Sequence, residues 1–210
     1  MFTYSLAKTG EERQQSKELV IEAYLKQGYL STDDSSDVED ISDVVSKTSS
    51  ITILARQQAD GKLVGTATLV PDSSDGLPMD VIFKSEIDTV RQKEKSIAEV
   101  CQLTIKHGDL SKSKFDINLD IFSHVLACAK KKGITALCFT VNPKHQAFYQ
   151  LLNCTQLGDQ RAYPLVNKNP AIAFYLNIDN FINGLENQPA FIRESLNKEP
   201  GPDFFDSLIN

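Results

Sequence analysis

The segment Ile97–Ile105 most constrains how this chain can fold, because a carboxylate interrupts a strand-like apolar pattern. Its odd positions read Ile, Glu, Cys, Leu and Ile, and its even positions read Ala, Val, Gln and Thr. Strand side chains alternate between two faces, so Glu99 is predicted to share a face with the most apolar residues. Losing water raises the pKa of a carboxyl group. We interpret Glu99 as a candidate general base, with a structural carboxylate paired to a buried Arg or Lys as the alternative.

Composition predicts one globular domain that does not bind nucleic acid. The 210 residues are 41% hydrophobic and 24% charged, which is enough for one sizeable core. We expect a domain over residues 1–178 and a C-terminal helical extension, 179–210, packed on it. The net charge of −6 argues against a phosphate-binding surface. The basic run Lys130–Lys132 precedes Gly133 at the end of a helical pattern, where it is interpreted as a favourable helix end.

Targeting signals and metal motifs are missing from the sequence. No stretch approaches the eighteen apolar residues of a membrane span, and the N-terminus does not have the pattern of a secretory signal, so we expect a cytoplasmic protein. The four cysteines are far apart and show no paired metal spacing. They are interpreted as free, buried thiols, and no metal is predicted; the four are Cys101, Cys128, Cys138 and Cys154.

Periodicity and turn signals predict alternating helices and strands. The first helix spans residues 11–27, preceded by Thr9 as a cap and ended by Gly28, and an acidic loop follows over 31–50. Two antiparallel strands flank the hairpin signal Ala59–Gly61. The remaining pattern predicts helices at 81–95, 116–132, 145–152 and 181–195, and strands at 51–56, 62–70, 97–105, 134–141, 155–163 and 171–178. Such a mixed order implies an α+β or α/β sheet with helices on both faces.

This order of elements resembles the GNAT superfamily of N-acyltransferases, and two segments are more specific than the order alone. Phe83–Asp88 followed by Ile97–Val100 resembles the N-acyl amino acid synthase family, a branch of the GNAT superfamily related to the acyl-homoserine-lactone synthases. Val141–His145 followed by Phe148–Tyr149 is similar to the segment that this branch and ordinary GNAT enzymes carry after their fifth strand. The resemblance spans roughly residues 10–178.

The resemblance implies an α/β/α sandwich with a GNAT-like mixed, twisted sheet. The strands that hold Glu99 and Phe139 would splay apart and admit a phosphopantetheine thioester. The donor would be a long-chain acyl group on acyl carrier protein or coenzyme A, with no tightly bound cofactor. The acceptor would be the amine of an amino acid, and the product an N-acyl amino acid.

Two departures from the family pattern matter for function. Related synthases usually carry Arg three residues after the strand glutamate, where this chain has Gln102. The phosphate loop of ordinary GNAT enzymes is also missing, since residues 106–118 offer only Gly108. The missing loop fits a carrier-protein donor, and both departures fit an acyl-binding or regulatory module that has lost turnover. An acetyl-coenzyme A dependent acetyltransferase acting on a small amine is the other alternative.

Candidate roles follow from the chemistry that the resemblance implies. Glu99 would take a proton from the acceptor ammonium, and Tyr149 would protonate the leaving thiolate unless it only packs under the sheet. Backbone groups of Cys101, Gln102 and Leu103 would hold the thioester. Asn142 would contact pantetheine or cap the following helix.

The acceptor carboxylate calls for a cation. Arg56 and Arg161 are candidates because guanidinium binds carboxylate in a forked geometry, with a surface ion pair as the alternative for each. Cys101 could act as a covalent nucleophile, but no His lies near it in sequence, which favours a buried thiol.

Overall fold

One mixed sheet of seven strands organises residues 1–31, 49–106 and 112–206, the part of the chain that the computed structural model describes. The order across the sheet is β1-β2-β3-β4-β5-β7-β6. All neighbours are antiparallel except β4 and β5, which are parallel. The strands are β1 Phe2–Leu6, β2 Ile51–Gln57, β3 Leu63–Pro71, β4 Ile97–Ile105, β5 Ala136–Val141, β6 Thr155–Tyr163 and β7 Asn169–Asn177.

Helices cover both faces of the sheet, as the sequence predicts. Phe83 and Ile87 pack in one cluster with Ile97 and Cys138, whereas Phe139 lies in the core of the opposite face. The helices are α1 Gly10–Gln27, α2 Asp80–Lys93, α3 Lys114–Lys131, α4 Gln146–Leu151, α5 Ile178–Asn183 and α6 Ala190–Leu196. Helices α1 and α2 cover one face, and α3 to α6 cover the other. The α+β sandwich is therefore confirmed.

Helix α1 begins and ends where its sequence predicts. The Thr9 side chain accepts a hydrogen bond from the Glu12 amide, and the Glu12 carboxylate accepts one from the Thr9 amide, which satisfies two helix donors. Gly28 ends the helix with φ of 70°, a conformation that glycine adopts without strain. The buried hydroxyl groups of Ser16 and Thr66 lie 2.6 Å apart and fix α1 against β3.

Strand β4 departs from the predicted alternation. The ladder pairs Thr66 with Thr104 but Thr68 with Cys101, so β4 carries one extra residue, and Gln102 has φ of 57°. Leu103 and Ile105 consequently pack against the core under α3, on the face opposite Ile97. The prediction that all odd positions of this strand share one face is wrong beyond Cys101.

The C-terminal region also differs from the prediction. A single helix over 181–195 is wrong, because Gly184 and Pro189 divide the region into α5, a 3-10 turn at Leu185–Asn187, and α6. Proline cannot continue a helix and holds Gln188 extended, with ψ of 154°. Residues from this region still join the main core, among them Phe181, Ile192 and Phe204.

Strand β1 was not predicted, and it pairs with β2 at the edge of the sheet. The predicted acidic loop over 31–50 lies largely outside the described residues. Among the helices that the structure describes, none has the length and apolar character of a membrane span.

Candidate active site

A gap between the two parallel strands is the main feature of the sheet. Strands β4 and β5 pair only from Ile97 opposite Ala136 to Glu99 opposite Cys138. Beyond this point β4 stays paired with β3, and β5 stays paired with β7, so the two strands diverge. The predicted splay of the central strands is thus present, and Glu99 lies at the last paired position.

A cavity of about 430 Å³ opens where the strands diverge. Its walls come from the separated ends of β4 and β5, from α1, and from the N-terminal parts of α3 and α4. The lining residues include Tyr24, Gln27, Tyr29, Val100, Gln102, Leu103, Thr104, Lys114, Asn118, Thr140, Asn142, Lys144, Phe148 and Tyr149. A space of this size and mixed polarity suits a small organic substrate.

Glu99 is buried at the closed end of this gap. Its side chain is 2% exposed and does not line the cavity. One carboxylate oxygen accepts a hydrogen bond from the Met79 amide at 2.7 Å, and the other accepts one from the Thr140 hydroxyl at 3.1 Å. The Cys101 thiol also donates to this carboxylate. Glu99 takes part in none of the ion pairs between described residues, so the alternative of a buried Arg or Lys partner is not what the structure shows.

These surroundings set the proton affinity of Glu99. Burial raises its pKa to about 7, and the charge of Asp80 acts in the same direction. The three hydrogen bonds favour the ionised form and limit the rise. A carboxylate of this kind holds and releases a proton near neutral pH, which is the property of an effective general base.

A guanidinium fixes the loop that supplies the Met79 amide. Arg91 on α2 binds Asp72, just after β3, at 2.8 and 2.9 Å, and Asp80, at the start of α2, at 2.6 and 2.9 Å. Asp80 also accepts a hydrogen bond from the Leu77 amide at 2.8 Å. Arg91 therefore bridges both ends of the segment that carries Met79.

Tyr149 lies at the wall of the cavity with its ring in the core. The ring stacks on Phe174 with centroids 5.6 Å apart and contacts Phe139 at 5.1 Å. Burial raises the pKa of its hydroxyl, which stays protonated at neutral pH. Packing accounts for the ring, and Tyr149 also lines the cavity beside the gap.

The predicted donor-binding residues lie around the gap. Gln102, Leu103 and Asn142 line the cavity, and Cys101 does not. Gln102 is 7% exposed, and its side-chain oxygen accepts a hydrogen bond from Thr68 at 3.1 Å. Asn142 caps the 3-10 turn Pro143–His145 through the Lys144 amide, so the capping interpretation is present in addition to its place in the cavity wall.

Neither predicted arginine reaches the cavity. Arg56 pairs with Leu63, and Glu99 pairs with Val70, which separates them by about 23 Å along β3. The Arg56 guanidinium donates to Gln15 at 2.7 Å. Arg161 forms an ion pair with Glu86 and lies over the Phe83 ring, 5.0 Å from its centroid.

The structure adds two cavity residues that the sequence did not single out. Lys144 donates to Gln27 at 2.6 Å and lies 4.5 Å above the centre of the Tyr29 ring, which places an ammonium on the α1 side of the cavity. Thr140 lines the cavity and contacts Glu99. Alternation along β5 gives Thr140 the face of Cys138, but only the β4–β5 register shows that Cys138 is opposite Glu99.

Metal ligands do not converge near this site. Within the described ranges, no group of three or more His, Cys, Asp or Glu side chains could hold an ion. All four cysteines are free thiols; Cys128, Cys138 and Cys154 are buried, and Cys101 is partly exposed.

Comparisons with known proteins agree with this geometry. The family model for N-acyl amino acid synthase FeeM matches residues 15–177. The solved structure of FeeM, from uncultured soil microbes, is 30% identical over 87% of this chain and 93% of that chain, with a TM-score of 0.77. Comparison with curated protein sequences gives no match.

More distant structures share the fold alone. An N-acetyltransferase from Staphylococcus aureus Mu50 is 14% identical over 86% of this chain and 99% of its own, with a TM-score of 0.57. The polyamine N-acetyltransferase of Drosophila melanogaster is 11% identical over 84% of this chain and 100% of its own, with a TM-score of 0.65.

Proposed function

Because the chain belongs to the FeeM family of N-acyl amino acid synthases and is an N-acyltransferase that uses an acyl thioester, we propose that it acylates the amine of an amino acid. The donor in this proposal is a long-chain acyl group on acyl carrier protein. The observation that carries the proposal is Glu99, buried without a cation at the point where β4 and β5 separate beside a cavity.

Acyl transfer begins with the acceptor. An amino acid carries an ammonium at neutral pH, and this group cannot attack a thioester until it loses a proton. Glu99 accepts that proton, because its pKa of about 7 keeps a substantial ionised fraction at neutral pH while making it more basic than an exposed carboxylate. The free amine then attacks the thioester carbonyl held in the gap.

Attack places negative charge on the carbonyl oxygen. The edge of β4 that faces the gap has no β5 partner beyond Glu99, and the extra residue at Gln102 disturbs its ladder to β3. In this proposal, backbone N–H groups of β4 from Cys101 to Leu103 stabilise this charge. Tyr149, neutral at the cavity wall, then hydrogen-bonds or protonates the leaving thiolate.

The acceptor carboxylate requires a cation within the cavity. Lys144 lies beside Gln27 and Tyr29 on the α1 side, and it is a better placed candidate than Arg56 or Arg161, whose partners lie outside the cavity. Carboxylate binding by either arginine stays a prediction, as does a cytoplasmic location.

Donor choice follows from what holds the phosphates. The sequence lacks the glycine-rich phosphate loop of ordinary GNAT enzymes, which supports a carrier-bound phosphopantetheine over free coenzyme A. Initial rates with palmitoyl-loaded acyl carrier protein, palmitoyl-coenzyme A and acetyl-coenzyme A distinguish the donors. We expect the carrier-bound donor to give the highest kcat/KM, and a higher kcat/KM with acetyl-coenzyme A would contradict this choice.

The product provides the direct test of the reaction. Mass spectrometry of lipid extracts from cells that express the wild type should detect N-acyl amino acids. Glu99→Gln should lower their amount by at least about 100-fold, the scale of general-base catalysis. Glu94→Gln is the matched control, since Glu94 is also hydrogen-bonded but lies outside the cavity wall. Equal product from wild type and Glu99→Gln would remove Glu99 from its role, and no product from the wild type would support a binding module.

A further inference from the structure

Glu99 and the cavity do not touch directly, although the proposed base must receive a proton from a substrate in that cavity. The carboxylate is 2% exposed, and its residue is not part of the cavity wall. A proton from the acceptor ammonium therefore needs a carrier between the two. The hydrogen-bond partners of Glu99 define the candidates: the Met79 amide, the Cys101 thiol and the Thr140 hydroxyl.

Only one of these three partners lines the cavity. Thr140 does, and neither Met79 nor Cys101 does. Thr140 lies on β5 two residues beyond Cys138, so its side chain has the same face as Cys138 but stands where β4 has already turned away. Thr140 is thus partly exposed and lines the cavity while its hydroxyl donates to Glu99 at 3.1 Å.

We propose that Thr140 is a catalytic residue that relays the acceptor's proton to Glu99, an inference that rests on the proposed function. An N–H bond of the ammonium breaks as a new O–H bond forms on the Thr140 oxygen. The original Thr140 O–H bond breaks as its proton joins the Glu99 carboxylate. The products of this step are a neutral amine, an unchanged threonine and a neutral glutamic acid, so no proton or electron is left over.

The chemistry of the partners favours this route. A hydroxyl both accepts and donates, which a relay requires, whereas the Met79 amide only donates. Other titratable groups around Glu99 do not compete in the neutral range. Burial raises the pKa values of Tyr24, Cys138 and Tyr163, and they stay neutral, whereas hydrogen bonds from Arg91 and the Leu77 amide keep the pKa of Asp80 low and Asp80 ionised.

Thr140→Val removes the hydroxyl and nearly keeps the shape of the side chain. The dependence of kcat/KM on pH then separates a proton relay from a simple change in the pKa of Glu99. Loss of a hydrogen bond to the carboxylate raises the pKa of Glu99 in any case. It therefore moves the acid limb of the profile, where activity falls as Glu99 becomes protonated, to higher pH. At pH values well above that limb Glu99 is ionised in both proteins, so a change in its pKa no longer affects the rate. We expect Thr140→Val to stay about 100-fold below the wild type on this high-pH plateau, and Thr140→Ser to stay within about threefold.

Thr135→Val is the matched control, because the Thr135 hydroxyl also donates to a glutamate, Glu94, at 2.9 Å but lies outside the cavity wall. It should keep both the acid limb and the plateau of the wild type. Cys101→Ala tests the thiol as the alternative relay. Thr140→Val combined with Glu99→Gln should be no slower than Glu99→Gln alone, since both changes interrupt one path. If Thr140→Val does not give the circular dichroism of the folded wild type, Thr140→Ala takes its place.

The outcomes distinguish the relay from the reaction itself. If Thr140→Val reaches the plateau of the wild type while Glu99→Gln is slow, the relay is overturned. A plateau lost in Cys101→Ala and kept in Thr140→Val would assign the relay to the thiol and also overturn the proposal. Absence of N-acyl product from the wild type contradicts the proposed function, not the relay alone.

Discussion

The proposed role of Glu99 as a base comes with a cost in stability. Burial raises its pKa from 4.5 to about 7, so the folded chain binds this proton more tightly than the unfolded chain does. The stability that follows is fully present below pH 4.5 and is lost progressively as pH rises to 7. The ionised form then costs about 3 kcal/mol of the free energy of unfolding.

Glu99→Gln should remove this pH dependence, because a neutral amide has no charge to bury. Urea unfolding at pH 4.5, 6 and 8 should show the wild type losing stability relative to Glu99→Gln as pH increases, by about 3 kcal/mol in total. A difference between the two proteins that stays constant with pH would mean that Glu99 titrates as an exposed carboxylate does.

Tyr149→Phe tests the hydroxyl of the second candidate without disturbing its ring. The ring contacts with Phe139 and Phe174 remain in this variant, so the melting temperature should change by only a few degrees. With a thioester substrate whose thiol is a poor leaving group, we expect kcat to fall by at least about tenfold. The reason is that the thiolate then leaves without a proton donor. An unchanged kcat would leave packing as the only role of Tyr149.

At the scale of residues, the sequence indicated an unusual residue in its local pattern but did not indicate which distant residues it would contact. Glu99 could be predicted because a carboxylate in a strand pattern is anomalous on its own. Thr140 could not, since threonine is ordinary in strands and its importance depends on where β4 and β5 stop pairing. Lys144 was missed for a similar reason, as its neighbours Gln27 and Tyr29 are more than 100 residues away.

At the scale of elements, the loop between β3 and α2 positions the proposed base. Arg91 holds Asp72 and Asp80 at its two ends, and the Met79 amide between them binds Glu99. The guanidinium is only 23% exposed, which makes it a structural bridge more than a surface pair.

Arg91→Gln should raise the pKa of Glu99. The variant releases the loop that presents the Met79 amide, and the hydrogen bond from this amide favours the ionised carboxylate. It also leaves the charge of Asp80 without its partner. Nuclear magnetic resonance of carbon-13 labelled glutamate carboxyl groups, assigned with Glu99→Gln, measures this midpoint directly. Asp88→Asn is the control, because Asp88 is a more exposed partner of Arg91 and should leave the midpoint unchanged. An identical midpoint in Arg91→Gln and wild type would show that Arg91 does not position the base.

Among the helices and strands, the sequence pattern predicted those with local signals and missed the irregularity of β4. Helix α1 and the hairpin of β2 and β3 carry local signals, namely the Thr9 cap, Gly28 and Ala59–Gly61, and all were predicted. The extra residue of β4 has no such signal, because Gln102 adopts a left-handed conformation that glycine or asparagine usually marks. The extra residue of β4 therefore could not be predicted from the sequence pattern.

At the scale of the whole molecule, the C-terminal region packs into the same core as the sheet. Ile192 is fully buried, whereas its neighbour Phe191 is 50% exposed. Ile192→Ala should lower the free energy of unfolding by about 2–4 kcal/mol, and Phe191→Ala by about 1 kcal/mol or less. Denaturant titration of both variants provides the check. Equal, small effects would indicate that residues 179–210 contribute little to the domain.

The pH dependence of kcat/KM for the amino acid tests the central role of Glu99 most directly. With Glu99 as base, the wild type should lose activity below a single limb near pH 7, about tenfold per pH unit, and reach a plateau above it. Glu99→Gln should have no limb there and should instead gain rate up to the pKa of the acceptor's own ammonium. A wild-type profile that follows only that ammonium would contradict the account.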